Sequence, residues 1–187
     1  MRDFNELSFY SFFILSPYPF IFSKISPMKM KAKTVQESII ETNDIVHPSD
    51  VNAYGFVFGG HLVSLMDKTA CMAAFRHCES KVTTVSVDGI HFLRPAPVGT
   101  MLTIHASVNR AFRTSMEIGL KVTAWLPGKP NEDICRAYMT FVAIDEKGRP
   151  KEVPAIIPET EDEKRRYNNA EIRRAARLEL REKLLSK

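Results

Sequence analysis

Asp67 is the side chain whose type and surroundings point most directly to chemistry. It lies in a Pro- and Gly-free stretch from His61 to Cys78 that predicts the strong helix of the chain. Residues spaced alternately by four and three share one helix face, and on this face all are small: Gly60, Ser64, Asp67, Cys71, Ala74 and Cys78. A carboxylate removed from water needs a partner or a function. Asp67 is therefore expected to be a proton acceptor, a member of a buried ion pair, or a cap for a neighbouring loop.

The opposite side of the same helix carries larger side chains. We expect this side to pack against a sheet, which leaves the small face open to a second backbone or a slender ligand. The residues that lie mostly on the packed side are Leu62, Leu65, Met66, Thr69, Met72 and Ala73.

A glycine pair, Gly59-Gly60, stands where this helix is expected to begin. The first N–H groups of a helix have no internal partner and point outward at the positive end of the dipole. Such groups can stabilise a carbonyl oxygen that gains negative charge, as in thioester hydrolysis. A flexible loop before a helix is the plainer interpretation of the same pair.

Gly60 and Asp67 are two helical turns apart, roughly 10 Å along the axis. One thioester carbon does not easily lie about 3 Å from both groups. Two copies of the helix packed antiparallel across a two-fold axis would bring Asp67 of one copy near Gly60 of the other. We therefore expect a composite site at an isologous dimer interface.

The remaining elements suggest a sheet around this helix. Thr34 to Val46 could supply a first strand, and four strands are predicted after the helix, over 82–92, 101–112, 115–126 and 134–144, each bounded by turn residues. One strand, one buried helix and a run of antiparallel strands predict an α+β domain.

Composition limits the class of protein. The chain has 187 residues, enough for one domain with extensions, and its hydrophobic share of 44% and charged share of 26% are typical of soluble globular proteins. A net charge of +4 does not indicate a nucleic-acid partner. The three cysteines form no CxxC pair, which favours free thiols in a reducing compartment and no metal site.

Both ends of the chain differ from the middle. Residues 1–30 form an extension whose aromatic run (9–22) is too short to span a bilayer and has poor signal-peptide flanks. We therefore expect a dispensable or disordered extension rather than a targeting or membrane-contact segment. Residues 31–150 form the predicted domain. Residues 151–187 are charged and mainly helical, and their interleaved acids and bases favour a solvated or subunit-capping helix over a nucleic-acid tail.

Four segments together resemble the hotdog-fold acyl-CoA hydrolases: HPSDVNAYGFVFGGHLVSLMDKTA (47–70), VTTVSVDGIHFLRPAPVG (82–99), RTSMEI (113–118) and VPAIIPETEDEK (153–164). The resemblance implies a hotdog fold, an antiparallel sheet wrapped around one long helix, in a cytoplasmic protein. It implies that Asn52 and Asp67 are the catalytic pair, supplied by different units of a homodimer that commonly assembles further into a hexamer, a trimer of dimers. Acyl-CoA would be the substrate, CoA the product, and no metal or redox cofactor would be needed.

Several other side chains have weaker claims to a role. Arg94, Arg113, Thr114 and Ser115 could bind the phosphates of CoA, although solvated surface arginines are the plainer interpretation. Asp88 is either a substrate contact or an inward-facing structural partner. Cys71 has no histidine placed in sequence to activate it, so a small buried hydrophobe is expected there.

The expected reaction is hydrolysis of an acyl-CoA to a fatty acid and CoA. Asp67 would act as general base, or as a nucleophile that forms a mixed anhydride, while Asn52 would orient the water or the carbonyl. The Gly60 N–H, with Gly59, would stabilise the oxyanion. Two alternatives remain open: a non-catalytic acyl-CoA-binding hotdog protein, and an acyl-thioester dehydratase, which would want a histidine beside the acid.

Overall fold

One antiparallel sheet packs against one helix in the computed structural model, which describes residues 30–186. The sheet has the order β2-β4-β5-β6-β3, and helix α1 contacts all five strands. The elements are β1 (Lys33–Thr34), β2 (Ile40–Ile45), α1 (Gly59–Cys78), β3 (Lys81–Phe92), β4 (Met101–Ala111), β5 (Ser115–Trp125), β6 (Glu132–Ile144), β7 (Ile156–Ile157) and α2 (Glu161–Leu185). The predicted α+β class is confirmed.

The buried face of α1 differs in part from the predicted one. Leu62, Met66 and Ala73 point into the core as expected, but Met72 is 43% exposed. Ala74 and Cys78, which were assigned to the open face, are buried. The small face is thus open only over the first three turns of α1, because the C-terminal turns are enclosed by the sheet and by the segment that carries β7.

The predicted first strand is interrupted. A 3₁₀ helix at Gln36–Ser38 separates β1 from β2. The Ser38 hydroxyl donates to the Val35 carbonyl at 2.7 Å and accepts the Val108 N–H of β4 at 3.0 Å. The Ser38 side chain thus replaces one backbone acceptor that a continuous strand would have offered to β4, as serine side chains can do.

Strand β1 pairs in parallel with β7 and closes the C-terminal end of α1. His77 lies beneath this contact with no solvent exposure, and its Nε2 is 2.9 Å from the Pro154 carbonyl oxygen. Because a carbonyl only accepts, Nε2 carries a proton. Burial lowers the pKa of His77, which favours the neutral ring.

Helix α2 covers the face of the sheet opposite α1. Its Arg173 binds the fully buried carboxylate of Glu117 through two nitrogens, at 2.7 and 3.0 Å, and lies over the Tyr138 ring. Asn109 donates a further bond of 3.0 Å to Glu117. Gly119 makes room for this amide, since a Cβ there would lie 2.6 Å from the Asn109 nitrogen.

Strand β3 is one edge of the sheet, and its register is irregular in two places. Shifts occur between Thr84 and Ser86 and between Asp88 and His91. Each shift rotates the following side chains relative to the pleat. As a result Thr84 and Val87 face α1, whereas Ser86 and Asp88 face α2.

The aromatic run of the N-terminal extension lies outside the described residues. Within residues 30–186, neither helix combines the length and the apolar composition needed to cross a bilayer.

Candidate active site

The predicted site aspartate is joined to the edge strand by a direct hydrogen bond. Asp67 lies half-buried near the middle of α1, and its Oδ1 accepts a 2.9 Å bond from the hydroxyl of Thr84 in β3. No lysine, arginine or histidine among residues 30–186 forms an ion pair with Asp67. Of the three expectations from the sequence, the buried ion pair is therefore wrong, and the carboxylate keeps one oxygen, Oδ2, for other partners.

Asn52 is held in a tight loop that fixes the orientation of its amide. Its Oδ1 accepts the N–H groups of Tyr54 at 2.9 Å and Phe56 at 3.3 Å, and its own N–H donates to the Phe56 carbonyl at 2.8 Å. The side-chain nitrogen makes no hydrogen bond to any described residue. Asn52 therefore presents a positioned donor just ahead of α1.

The N-terminus of α1 has free backbone donors. Phe58 is the N-cap and supplies no side-chain cap, and the first internal bond runs from the Leu62 N–H to the Phe58 carbonyl. The N–H groups of Gly59 and Gly60 have no partner among residues 30–186. A Cβ at Gly59 would lie 3.3 Å from the Phe92 ring, a tight contact that the ring would have to relieve by a small shift.

These groups share an exposed face with apolar neighbours. Gly60 and Asp67 remain about 10 Å apart along α1, as a helix requires, so one subunit does not bring both to a single carbonyl. Large apolar side chains at the N-cap of α1, along α1 and on β3 are each exposed by more than 40%: Phe58, Met72, Phe75, Val85, Val87 and Phe92. Exposed apolar side chains on neighbouring elements are typical of an interface or a ligand groove.

Cys71 follows Asp67 by one helical turn and does not have the character of a nucleophile. Burial raises the pKa of its thiol, and the neighbouring Asp67 carboxylate raises it further. Thiolate is the reactive form, so both effects suppress reaction. Cys78 and Cys135 are buried, and burial raises the pKa of Cys135 to about 11.

The structure separates the four residues suggested for CoA. Arg94 follows β3 and pairs with Glu132 at 3.4 Å, near the start of β6. Arg113, Thr114 and Ser115 form the β4–β5 turn beside the end of β6, because the Ala143 N–H donates to the Thr114 carbonyl. Ten residues of β6 lie between Glu132 and Ala143, which separates these points by roughly 35 Å. Within one subunit the two groups do not meet.

Asp88 is a structural partner in this subunit. It accepts a 2.8 Å bond from the Ser86 hydroxyl and forms an ion pair with Arg177 of α2. Across residues 30–186, no group of three or more His, Cys, Asp or Glu side chains is arranged to hold a metal ion.

Thr84 is the site residue that sequence reasoning missed. In an alternating strand, Thr83 and Thr84 are equivalent candidates for the inner face. The irregular register of β3 determines which one faces α1, and a register shift leaves no clear mark in the sequence.

Comparisons with known proteins identify relatives of this chain. A family model described as the thioesterase superfamily matches residues 54–124. A mouse cytosolic acyl coenzyme A thioester hydrolase is 38% identical over 71% of this chain. The chain spans only about a quarter to a third of the length of the mammalian relatives it matches (25% and 35%).

Solved structures match over nearly all the described residues. An acyl-CoA hydrolase from Staphylococcus aureus, in complex with butyryl coenzyme A, coenzyme A and coenzyme A disulfide, has a TM-score of 0.75 and 34% identity, covering 82% of this chain and 96% of that one. An apo-hexameric acyl-CoA thioesterase has a TM-score of 0.78 and 33% identity, covering 84% and 100%.

Alanine variants of the Staphylococcus protein have also been solved. They replace an asparagine, an aspartate fifteen residues after it, and a threonine seventeen residues after that aspartate.

Proposed function

The chain belongs to the thioesterase superfamily, and from this membership we propose that it hydrolyses acyl-CoA thioesters to a fatty acid and free CoA. The observation that carries the proposal is a triplet of side chains. Asn52, Asp67 and Thr84 have the same spacing as the three substituted residues of the Staphylococcus hydrolase. Two of the three, Asp67 and Thr84, are hydrogen-bonded in this structure.

Asp67 is proposed as the general base. The Thr84 hydroxyl engages Oδ1, which orients the carboxylate and leaves Oδ2 to accept a proton from water. The water oxygen then bonds to the thioester carbon. Collapse of the tetrahedral intermediate breaks the C–S bond, and the proton passes to the departing CoA thiolate. Direct attack by the same carboxylate, forming a mixed anhydride, is the alternative for this residue.

The developing negative charge on the carbonyl oxygen needs donors that are already in place. The free N–H of Gly60, assisted by that of Gly59, supplies them at the positive end of α1. The side-chain nitrogen of Asn52 is a third donor, which would hold the water or the carbonyl. All three donors lie at or just before the N-terminus of α1, whereas Asp67 of the same chain lies near its middle.

The separation of donors and base is the reason to propose a dimeric catalytic unit. Gly60 and Asp67 lie about 10 Å apart along one helix face. Two α1 helices running antiparallel about a two-fold axis would bring the base of one copy to the donors of the other. The apolar surface around Met72, Phe75 and Val85 would be buried in that contact. A hexamer, a trimer of such dimers, is the proposed assembly, supported by the hexameric relative.

The same two-fold arrangement gives the suggested CoA residues a way to meet. Antiparallel alignment brings opposite strand ends of two copies together, so Arg94 of one copy and Arg113, Thr114 and Ser115 of the other could face one CoA. We place the protein in the cytoplasm by its likeness to the mouse hydrolase named cytosolic.

Release of thiol from a panel of acyl-CoAs tests the proposal. The wild-type protein should liberate CoA, and Asp67→Asn should lose about 10²- to 10⁴-fold in kcat because an amide cannot accept the proton. Its melting temperature should stay close to that of the wild type. Binding of acyl-CoA without turnover by the wild type would instead support a non-catalytic binding protein. Consumption of an acyl-CoA without thiol release would support a dehydratase.

A further inference from the structure

Helix α2 crosses the outer face of the sheet in a fixed order of strands. Near its start, Tyr167 lies against Arg110 of β4. Arg173 then reaches Glu117 of β5 and Tyr138 of β6. Arg177 reaches Asp88 of the edge strand β3. The helix continues for eight more residues to Leu185, so its last two turns extend past the edge of the sheet.

We call residues 178–185 the overhang. Leu184 lies seven residues after Arg177 and fourteen after the buried Ala170, so it continues the face that packs on the sheet. Three more leucines, Leu178, Leu180 and Leu185, lie in the same two turns. All four are exposed: Leu178 by 43%, Leu180 by 58%, Leu184 by 72% and Leu185 by 69%. The apolar face of α2 is therefore longer than the sheet it covers.

The edge beneath the overhang is itself incomplete. Strand β3 runs for twelve residues, and its outer edge pairs with no described strand. A long free edge that carries exposed Val85 and Val87 invites pairing with another chain. A strand of another chain that extends the sheet beyond β3 would cover this edge and would also lie under the overhang. The β3 strand of a second copy, paired edge to edge, meets both requirements.

The charges of the overhang favour a second copy over an unrelated partner. Its acids are Glu179 and Glu182, and its bases are Arg181 and Lys183. Glu179 and Lys183 already form an ion pair of 2.6 Å within one helix. Leu178, Arg181, Glu182 and Leu185 share one side of α2. When two copies run antiparallel about an axis between residues 181 and 182, Glu182 of one copy faces Arg181 of the other, and Leu178 faces Leu185. The segment is complementary to itself in that arrangement, as an isologous contact requires.

We propose that the overhang is a self-docking clasp: the two α2 ends of a dimer cross over the joined β3 edges and pack against each other. This inference rests on the dimer of the proposed function and adds a contact on the opposite side of the sheet from the active site. The clasp would hold together a dimer whose catalytic groups come from both copies, without touching the substrate.

The test compares dimer dissociation constants of full-length variants by sedimentation over a range of protein concentrations. Leu180→Lys combined with Leu184→Lys should weaken dimerisation by about tenfold or more. The matched control is Ile172→Lys combined with Ala175→Lys, which adds the same charge to the same helix on its solvent side, where Ile172 is 68% exposed. The control should dimerise as the wild type does. Circular dichroism would verify that both variants remain folded.

A charge exchange tests whether the two overhangs contact each other. One variant carries Glu182→Arg, and the other carries Arg181→Glu, so that the Glu179–Lys183 pair within each helix stays intact. Each alone should dimerise more weakly than the wild type, and their mixture should form heterodimers preferentially. Equal dimerisation of all variants would overturn the proposal. The proposal would also be overturned if the wild type is a hexamer and the leucine changes split it into stable dimers. The overhang would then join dimers to one another rather than the two copies of one dimer. Sedimentation needs no turnover, so a dimer without thiol release would overturn only the proposed function.

Discussion

The Thr84 hydroxyl donates a 2.9 Å hydrogen bond to the Asp67 carboxylate, linking the free edge strand of the sheet to the middle of its central helix. This bond joins two residues that are seventeen positions apart and lie on different elements. Anything that moves β3 relative to α1 therefore reorients the carboxylate. In the proposed dimer, this contact would couple assembly at the β3 edge to the chemistry proposed for Asp67.

Removal of the Thr84 hydroxyl should slow turnover without unfolding the protein. Thr84→Val keeps the shape of the side chain and loses the donor, and a hydrogen bond to a charged group contributes about 1.5–3 kcal/mol. We expect kcat to fall by about 10- to 100-fold with little change in KM. Thr84→Ser, which retains the hydroxyl, is the control and should keep most of the activity. Equal activity in the valine variant would assign Thr84 a structural role only.

Two inactive variants should restore activity to each other when mixed. Asn52→Ala and Asp67→Ala each damage every site of a homodimer, whereas a mixed dimer holds one site with both residues intact. Random reassociation makes about half the dimers mixed, so about a quarter of the wild-type thiol release should return. Native mass spectrometry would verify that subunits have exchanged. Exchange without recovery would show that Asn52 and Asp67 serve the site of a single chain.

Loss of Arg173 should destabilise the protein strongly. Arg173→Met leaves the buried Glu117 carboxylate without its cation, which costs about 3–5 kcal/mol of unfolding free energy. Adding Glu117→Gln should recover much of that loss, because the second change removes the unpaired charge. Urea denaturation measures both. Arg166→Met breaks an ion pair with Asp162 on the exposed side of α2 and should cost about 1 kcal/mol or less.

Acidification should weaken the contact between β7 and the end of α1. Because burial lowers the pKa of His77, the unfolded chain binds a proton at a higher pH than the folded one. The stability due to neutral His77 is therefore complete above the unfolded pKa, about 6.5, and falls as the pH drops below it.

The change His77→Gln isolates this effect. Glutamine can still donate to the Pro154 carbonyl but does not titrate. Stability curves of both proteins between pH 7.5 and 5 should diverge below about pH 6.5, the wild type losing more. Parallel curves would contradict the assignment.

Much of the fold could be predicted because turn residues mark its strands. The Pro- and Gly-free stretch before Cys78 predicted α1, and the helical character of the C-terminal segment is confirmed by α2. The break at Ser38 was missed because it depends on a side-chain bond to Val108, a residue seventy positions away.

The site was harder to predict where it depends on register and on sheet ends. Asp67 could be placed on α1 from the sequence, but its partner Thr84 depends on an irregularity in β3. The sequence likewise does not reveal that Arg94 and Arg113 emerge at opposite ends of β6. Met72 was placed on the core side because periodicity cannot distinguish a residue covered by its own sheet from one left for another surface.

Cys71 is a native attachment point for a fluorescent dye. It is the one cysteine of the three whose side chain is only half-buried, and it shares the open face of α1 with Asp67. A thiol-reactive dye would therefore label this position first, faster at alkaline pH because the pKa of the thiol is raised. A dye that fluoresces differently in an apolar environment would then follow the approach of a second α1 helix in real time, with no engineered residue and no substrate present.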